Sequence, residues 1–596
     1  MRVSSILRQS AEKFPTSPFI RIENETIGYH EALINVSSYK QWIEENVSKS
    51  RIETDEHTHI VVAFLSHNSP ELLLCLIGSI DACHLMSGKN VTVESAMINA
   101  RWSPKEIACA LGVTKNHNVD ASAARQYLTV ILASEEMMDI AKSASKMLNE
   151  ASSYHRACSC LIPSLNMIHR FIPTQLQDGE GLYQTSSLYS DSIIIFTSGT
   201  TSGPKGVRLS HLSLLIQGMA KNLAPCFYDS KTRVLASTVP FFHIGGLSTA
   251  ISVIIAGGTL IFSANHHGNN GFSPSNVLDN MNDENESIAV DTNTLVLVPA
   301  MLHALLAVIK SESSAKKIYK GVRLLLIGGQ SITDKQLKEA IQIFPNARIV
   351  QTFACTEAGS SITFDVKFDP DNLGRPNPNV ASHRSRVGFP PPHVELKIFE
   401  LDGANRPTNI PAALGKIGAI GTRGPHVMNG YWNRSDIKCT NLDPNEKWLI
   451  MNDLGYLDEA SGALFFCGRA NDVIRSGGET IYAPEVENLL IEHPQIDQCA
   501  VFGLNDDKFG EVVCAAIVAL DSHHDIQNAY PSDKWLKILK EYCTSRQLSS
   551  YKRPKFVFCY NELPRNSSGK VLKHILQQQC TNARHEHIQR QLQSRL

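Results

Sequence analysis

A run of hydroxyl residues and glycines at residues 197–206, TSGTTSGPKG, has the composition of a phosphate-binding loop. Glycine lets backbone N–H groups approach a polyanion closely, hydroxyl groups add donors, and Lys205 supplies a positive charge for outer phosphates. The run lacks the Gly-Lys-Ser/Thr triplet of a Walker loop. A flexible turn leading to a helix capped at Ser210 would also explain a Gly/Ser loop of this kind, so the loop by itself leaves both interpretations open.

The elements that must position this loop follow an alternating pattern. Short apolar runs predict buried strands, with helical patterns between them, at residues 60–65, 128–133, 193–197, 294–298, 324–327 and 348–352. Residues 70–82 predict one of these helices. Strands of this kind are typical of parallel sheets covered on both faces, so we expect an α/β fold with mainly parallel, helix-covered sheets.

The pattern changes after about Gly468 to a smaller α+β unit. Strands are predicted at residues 499–503 and 511–520, joined by a turn at Asn505, Asp506 and Asp507. A helix capped by Ser532, a strand at residues 556–559 and a helix from about Val571 follow. We expect an N-terminal domain of residues 1–468 and a C-terminal domain of residues 469–596.

The charge balance excludes some classes of partner. Lysine and arginine total 56 against 58 aspartates and glutamates, a formal net charge of −2, and no block of five like charges occurs. Proteins that bind nucleic acids or membrane surfaces by neutralising phosphates carry a basic excess that this chain lacks. We therefore expect no nucleic-acid partner. Residues 265–287 and 369–385 are polar and predict exposed loops.

Neither a membrane span nor a metal-binding cysteine cluster is expected. Residues 247–264 carry no charge, but Gly257 and Gly258 interrupt them, which favours a buried helix followed by a strand at residues 259–262. The 14 cysteines are scattered, without the two-residue spacing of a zinc site, and predict reduced thiols. Residues 1–15 contain no apolar run of the signal-peptide kind.

Further motifs follow the glycine-rich loop in order. They are GGQ at 328–330, Thr356 with Glu357, Asp453 in NDLGYLDE, Gly468 and Arg469 with Asn471, GGE at 477–479 and Lys570 in PRNSSGK. With residues 197–206, these strings resemble the signatures of the acyl-adenylate-forming superfamily of AMP-binding enzymes. The resemblance spans nearly the whole chain, and it implies a large adenylate-forming domain with a small mobile C-terminal domain.

The resemblance also implies a role for each matched residue, with ATP, Mg²⁺ and coenzyme A as cofactors or co-substrates. The implied nucleotide-binding residues are Thr197, Ser198, Gly199, Thr200, Thr201, Lys205, Gly328, Gly329, Gln330, Phe353, Asp453 and Arg469. The implied catalytic residues are Thr356, Glu357, which also holds Mg²⁺, and Lys570. Asn471 would be the hinge, and Gly477 and Gly478 would help to form the thiolation site.

Two departures and three ordinary interpretations accompany these roles. Phe353 stands where the superfamily usually has a tyrosine that stacks on adenine, and Met451-Asn452 stands where it has Thr-Gly. Glu357 could be a carboxylate favoured by a helix dipole, and Lys570 a solvated lysine. His243, in PFFHIGG, could be a core histidine as readily as a residue that lines the acyl pocket.

Several longer strings narrow the resemblance to one family. PFFHIGGLSTA, TEAGSSITF and TRGPHVMNGYW are similar to the plant and algal 2-succinylbenzoate–CoA ligases of phylloquinone synthesis. The resemblance implies activation of a small carboxylic acid by ATP and its transfer to CoA. The alternatives are a related peroxisomal ligase for aryl or fatty acids, an adenylating domain that serves a carrier protein, and an inactive adenylate-binding protein. Retention of the implied catalytic residues disfavours the last.

The chain ends in Ser594, Arg595 and Leu596, which resemble the Ser-Lys-Leu peroxisomal address. This ending implies import into the peroxisome through its receptor. A chance helix end is the alternative, with chloroplast or cytoplasm as the corresponding locations.

Overall fold

The computed structural model describes residues 3–23, 25–50, 58–87, 91–112, 126–151, 155–168, 188–197, 204–263, 272–281, 292–312, 317–372, 385–403, 406–432, 448–520, 530–565 and 571–593. Among the predicted site residues, Ser198, Gly199, Thr200, Thr201 and Lys570 lie outside these ranges. The predicted C-terminal address at residues 594–596 also lies outside them, as do most of the predicted loops at 265–287 and 369–385.

The described helices are α1 (Val3–Lys13), α2 (Tyr29–Ser50), α3 (Pro70–Met86), α4 (Pro104–Leu111), α5 (Met138–Ala151), α6 (Leu165–Ile168), α7 (His211–Asn222), α8 (Ile244–Ala256), α9 (Pro274–Asp279), α10 (Pro299–Glu312), α11 (Asp334–Ile343), α12 (Ala483–Leu490), α13 (Asp533–Ser545) and α14 (Lys573–Gln593).

The described strands are β1 (Pro18–Ile22), β2 (Glu25–Gly28), β3 (Thr58–Leu65), β4 (Val91–Met97), β5 (Gln126–Ala133), β6 (His155–Leu161), β7 (Asp191–Thr197), β8 (Lys205–Ser210), β9 (Arg233–Leu235), β10 (Thr259–Phe262), β11 (Thr294–Leu297), β12 (Leu324–Ile327), β13 (Arg348–Cys355), β14 (Ser360–Phe368), β15 (Arg386–Gly388), β16 (Glu395–Leu401), β17 (Pro407–Pro411), β18 (Gly418–Arg423), β19 (Gly430–Tyr431), β20 (Leu449–Leu457), β21 (Leu464–Arg469), β22 (Val473–Ser476), β23 (Glu479–Tyr482), β24 (Ile496–Asp506), β25 (Gly510–Ala519), β26 (Tyr530–Pro531) and β27 (Phe556–Cys559).

Two sheets with parallel centres form most of the chain before Gly468. Sheet I has the order β14-β13-β12-β11-β9-β10-β1-β2, and only its outermost strands β14 and β2 are antiparallel to their neighbours. Sheet II has the order β19-β8-β7-β4-β3-β5-β6, and its strands from β7 to β6 are parallel. Helices α7 and α8 contribute to the core that both sheets share, since buried side chains of all four elements form one cluster. The predicted α/β fold with mainly parallel sheets is confirmed.

Two further sheets contain the rest of the strands. Sheet III, in the order β15-β21-β20-β18-β16-β17, is antiparallel throughout, and the sequence analysis did not distinguish it. Sheet IV, β23-β22-β25-β27-β26 with β24 on β25, lies entirely after residue 469. Helices α12 and α13 cover one side of sheet IV and α14 the other, giving it hydrophobic clusters of its own.

The local predictions differ from the structure at a few element ends. Asn505 and Asp506 belong to strand β24 and pair with Glu511 and Gly510, so the turn occupies residues 507–509 instead of beginning at Asn505. The ladder extends this far because the turn is closed by Asp506, whose carboxylate accepts hydrogen bonds from the N–H groups of Lys508 and Phe509, both at 3.1 Å. The last helix begins at Lys573, because Val571 forms a bridge with Arg565 before it.

The uncharged segment around residue 257 behaves as predicted. Helix α8 ends at Ala256, its C-cap Gly257 has a left-handed backbone (φ 74°), and strand β10 follows at Thr259. Among the described residues, no helix is both long and apolar enough to cross a bilayer. The described cysteines are all free thiols.

Candidate functional site

Two antiparallel strands of sheet II bring the ends of the glycine-rich loop together. Thr197 ends β7 and Lys205 begins β8, and the two residues are paired across the ladder. The Thr197 hydroxyl lies 3.4 Å from the Lys205 carbonyl oxygen, to which it donates. The residues between them that were predicted to bind phosphate lie outside the described residues. Thr197 and Lys205 therefore mark the two ends of the predicted phosphate-binding loop.

Tyr431 links Lys205 to Glu357. The Lys205 ammonium lies 5.7 Å from the centroid of the Tyr431 ring, within the range of a cation–π contact. The Tyr431 hydroxyl donates a 2.9 Å hydrogen bond to Glu357 Oε1. Strand β19, which carries Tyr431, pairs with β8, so the ring lies between the lysine and the carboxylate. The Lys205 ammonium and the Glu357 carboxylate are thereby held on either side of one tyrosine.

Glu357 is fixed by its backbone as well as by its side chain. It lies in the short 3₁₀ turn Thr356–Ala358 between β13 and β14, and its carbonyl oxygen accepts a 2.9 Å hydrogen bond from the Met428 N–H. The predicted pair Thr356 and Glu357 is therefore held at the end of sheet I, facing the segment that carries Tyr431. The turn is too short for Glu357 to act merely as a cap of a longer helix.

Asp453 and Arg469 face each other across sheet III. They are paired residues of β20 and β21, and Arg469 Nε lies 3.4 Å from Asp453 Oδ1. Burial raises the pKa of the Cys355 thiol well above its usual value, and the negative charges of Glu357 and Asp453 raise it further. Both carboxylates therefore lie close to Cys355, so the acidic turn and the predicted ribose-binding residue share one region.

The predicted adenine-binding residues lie at the ends of neighbouring strands of sheet I. Gly328 and Gly329 follow β12, with Gln330 exposed after them, and Phe353 lies on the adjacent strand β13. The Phe353 ring is half-buried and packs against Phe466 at 5.7 Å between centroids. A phenyl ring in this position retains a face for stacking on a base, although it has no hydroxyl group.

His243 is the residue before α8, and its ring centroid lies 4.7 Å from that of Phe242. Burial lowers the pKa of the imidazole to about 4, and the positive charge of Arg101 contributes to the shift. The ring is therefore neutral at physiological pH. Its Nε2 is buried and finds no hydrogen-bond partner among the residues that the structure describes. A buried imidazole nitrogen without a partner is suited to contact a polar ligand.

The predicted C-terminal site residues are only partly brought together with this group. Gly477 and Gly478 form the two-residue turn of the β22–β23 hairpin, with φ values of 61° and 88° that few other residues adopt. They lie in sheet IV and have no described contact with Lys205, Glu357 or Asp453. Asn471 is exposed in the 3₁₀ turn Ala470–Asp472, between sheet III and sheet IV.

The donor set around Glu357 fits magnesium. A carboxylate oxygen and the neighbouring Thr356 hydroxyl are hard oxygen ligands, which Mg²⁺ prefers. Within the described ranges, no group of three or more His, Cys, Asp or Glu side chains forms a metal cluster. A single carboxylate suits an ion that takes its remaining ligands from water and substrate phosphates.

The sequence analysis assigned no role to Tyr431 or to the polar face of α7. Tyr431 belongs to the quoted string TRGPHVMNGYW, but its partners Lys205 and Glu357 are distant in sequence. The sequence signal for the α7 face is the spacing of four between the polar residues Ser213, Gln217 and Lys221, although His211 and Asn222 at the ends of the helix are polar as well.

Comparisons with known families agree with this arrangement. The profile of the family described as AMP-binding enzyme matches residues 7–432, and that of the AMP-binding enzyme C-terminal domain matches residues 485–570. A chloroplastic/peroxisomal 2-succinylbenzoate–CoA ligase from Arabidopsis thaliana is 31% identical over 511 residues, covering 81% of this chain and 83% of that protein. An indoleacetate–CoA ligase from Aromatoleum aromaticum is 31% identical, covering 65% and 66%.

Solved structures share the fold. The o-succinylbenzoate CoA synthetase of Bacillus subtilis, in complex with its acyl-adenylate intermediate, superposes with a TM-score of 0.68 at 24% identity, covering 96% of this chain and 97% of that one. ATP-bound MatB from Rhodopseudomonas palustris gives a TM-score of 0.70 at 21% identity, covering 97% and 99%.

Proposed function

Because the chain belongs to the AMP-binding enzyme family, we propose that it is an ATP-dependent carboxylate–CoA ligase that converts 2-succinylbenzoate to 2-succinylbenzoyl-CoA. The observation that carries the ligase assignment is the chain of contacts from Lys205 through Tyr431 to Glu357. The similarity to the Arabidopsis ligase over 81% of the chain supports the choice of acid.

In the first half-reaction the substrate carboxylate attacks the α-phosphorus of ATP. A new O–P bond forms, the bond to pyrophosphate breaks, and an acyl-adenylate results. The approach of two anions makes this barrier largely electrostatic. Lys205 and the loop at residues 197–201 would hold the outer phosphates, and Thr356 would contact the AMP phosphate. Lys570 would neutralise charge between the carboxylate and the α-phosphate.

The remaining nucleotide contacts follow from the site. Asp453, paired with Arg469, would accept hydrogen bonds from the ribose hydroxyl groups. Phe353, which packs on Phe466, would stack on the adenine ring, and Gly328–Gln330 would also contact adenine. Glu357 would hold Mg²⁺, which supplies charge neutralisation at the phosphates when bound. Tyr431 orients the Glu357 carboxylate for this task.

In the second half-reaction the CoA thiol attacks the adenylate carbonyl and loses its proton to solvent. A C–S bond forms, the C–O bond to AMP breaks, and AMP leaves. The lysine that assists adenylation would obstruct the thiol, so we propose that residues 469–596 rotate against residues 1–468 between the steps. Asn471 is placed for this, because it is exposed at the connection between sheets III and IV. The Gly477–Gly478 turn would then help to form the thiolation site.

The choice of acid rests on Arg101 and His243. Succinylbenzoate keeps a second carboxylate after activation, and a pocket for it needs a cationic or polar group. The positive charge of Arg101 contributes to the lowered pKa of His243, whose Nε2 is buried without a described hydrogen-bond partner. We propose that these two residues recognise the distal carboxylate. The likeness to the indoleacetate–CoA ligase makes an arylacetic acid the second candidate substrate.

A substrate panel tests the proposal. Pyrophosphate and AMP release would be measured for the purified full chain with succinylbenzoate, indoleacetate, a cinnamic acid and a fatty acid, each with and without CoA. We expect CoA-dependent turnover with succinylbenzoate at least tenfold above the other acids. Turnover with indoleacetate alone would refute the choice of acid, and the absence of ATP-dependent turnover with every acid would refute the ligase assignment.

Two observations support a proposal for the location of the protein in the cell. The Arabidopsis relative is described as chloroplastic/peroxisomal, and residues 594–596 match a peroxisomal address. We propose import into the peroxisome and a role in phylloquinone synthesis. A fluorescent fusion that leaves the C-terminus free should be punctate with peroxisomes, and deletion of the last three residues should disperse it.

A further inference from the structure

We infer that helix α7 sets the position of Glu357 through three buried side chains, Ser213, Gln217 and Lys221, which are positioning residues for adenylation. The inference rests on the proposed function, because the proposed function gives Glu357 its role at the nucleotide. None of the three residues belongs to the motifs that the sequence analysis singled out.

The spacing of these residues places them on one face of the helix. Residues four apart in an α-helix lie one above the other, so Ser213, Gln217 and Lys221 form a single polar row. Their relative exposures are 0%, 0% and 2%. Burial of polar groups costs free energy unless each is hydrogen-bonded, so a row of three needs specific partners.

Gln217 binds the backbone that follows Glu357. Its Nε2 donates to the carbonyl oxygens of Ala358 and Ser361, both at 2.9 Å, and its Oε1 accepts from the Ser361 N–H at 3.2 Å. The amide thus uses both of its N–H groups and its oxygen on residues within four positions of Glu357. A side chain that makes three such bonds fixes the path of that backbone.

Ser213 binds the segment that approaches Glu357 from the other side. Its hydroxyl donates a 2.8 Å hydrogen bond to the His426 carbonyl oxygen. Two residues later, Met428 donates to the Glu357 carbonyl, and Tyr431 donates to the Glu357 carboxylate. Both segments that hold Glu357 are therefore attached to the same face of α7.

Lys221 extends the row to Ser360, the first residue of β14 after the turn. Its ammonium donates a 2.8 Å hydrogen bond to the Ser248 hydroxyl, which lies 3.0 Å from the Ser360 hydroxyl. Helix α7 also follows directly from β8, whose first residue is Lys205. The helix thus connects the phosphate-binding lysine with the acidic turn, and displacement of either would be transmitted to the other.

The test uses Gln217→Met, which keeps the size of the side chain and removes its three hydrogen bonds. The control is Asn293→Leu. Asn293 is a buried amide just before β11, and its side chain also binds backbone: Nδ2 donates to the Lys231 carbonyl oxygen and Oδ1 accepts from the Arg233 N–H. Hydrogen–deuterium exchange of the ligand-free proteins would be measured over residues 353–362. We expect at least tenfold faster exchange there in Gln217→Met and no change in Asn293→Leu.

A double-mutant cycle with Glu357→Gln separates positioning from general destabilisation. Mg·ATP binding and acid-dependent ATP–pyrophosphate exchange would be measured for each variant. We expect Gln217→Met to weaken Mg·ATP binding at least fivefold when Glu357 is present, and less than twofold when it is replaced. Equal losses in both backgrounds, or unchanged exchange at residues 353–362, would overturn the inference.

The outcomes separate this inference from the proposed function. Hydrogen exchange and Mg·ATP binding need no acid, so they decide the role of α7 even if no acid in the panel is activated. If Gln217→Met fails to fold, Ser213→Ala carries the same test, because it removes one hydrogen bond and little volume.

Discussion

At the scale of single residues, the site combines two carboxylates with two positively charged side chains. Glu357 and Asp453 both raise the pKa of Cys355, so two carboxylates lie near one thiol, and Lys205 and Arg469 bring positive charge to the same region. Tyr431 contacts both Lys205 and Glu357, so its side chain fixes the position of the cation relative to the carboxylate.

Replacement of Tyr431 by Phe should slow adenylation while leaving the fold intact. The ring still faces Lys205, but the 2.9 Å hydrogen bond to the Glu357 carboxylate is lost. A hydrogen bond to a charged group contributes about 1.5–3 kcal/mol, so we expect a loss of about tenfold or more in ATP–pyrophosphate exchange. Tyr551→Phe, at an exposed site in the C-terminal unit, is the control. A rate equal to wild type would show that Glu357 needs no such orientation.

Replacement of Arg101 by Met should affect substrates according to their charge. The variant removes the positive charge proposed to recognise the distal carboxylate, so the KM for succinylbenzoate should rise by about tenfold or more, because that carboxylate would lack its partner. The KM for an acid with a single carboxylate should change by less than twofold. Arg156→Met, on the exposed edge strand β6, is the control. An equal rise for both acids would mean that Arg101 acts on the shared part of the pocket.

At the scale of elements, the turn after Glu357 depends on a close approach between two backbones. Gly359 has φ 64°, and a Cβ added there would overlap with Ser213 Oγ and lie 2.9 Å from the His426 carbonyl oxygen. The polar face of α7 can reach the turn only because residue 359 has no side chain. The contact between the turn and the polar row of α7 therefore requires glycine at position 359.

Substitution of Gly359 by Ala should cost both stability and nucleotide affinity. The left-handed backbone alone costs about 1–2 kcal/mol for a residue with a Cβ, and the contacts with Ser213 and His426 add to it. Gly462→Ala is a matched control, since Gly462 has φ 71° with no atom within 4 Å of an added Cβ. Urea unfolding and Mg·ATP binding would be measured. Equal effects of the two substitutions would show that the contact with α7 is unimportant.

The same elements show what the sequence could and could not predict. The strands of sheets I and II, helix α8 with its stop at Gly257, and the caps Ser210 and Ser532 follow from apolar runs and local signals, which the chain displays directly. The resemblance located Thr356, Glu357 and Asp453 as candidates. Tyr431 and Gln217 could not be found this way, because their roles depend on contacts between segments that only the folded chain brings together.

At the scale of the whole molecule, the core contains histidines that burial keeps neutral. Burial lowers the pKa of His155 and of His393 to about 4 and that of His426 to about 3, with a further contribution from His393 at His426. In the unfolded chain each would titrate near 6.5. Between these values the unfolded state binds more protons than the folded state, so stability is complete above about pH 6.5 and declines as the pH falls toward 4.

His155 provides a clean test of this pH dependence, because it lies at the start of the edge strand β6, far along sheet II from Lys205. Its Nε2 lies 2.9 Å from Thr129 Oγ1 on the neighbouring strand β5. The free energy of unfolding would be measured in urea between pH 7.5 and 4.5. Each neutral histidine contributes a slope of up to about 1.4 kcal/mol per pH unit in the acid range, so His155→Phe should reduce the slope by about that amount. His574→Gln, at an exposed site on α14, should leave the slope unchanged. If His155→Phe and wild type lose stability in parallel, the folded protein accepts a proton at His155, and acid sensitivity must come from other groups.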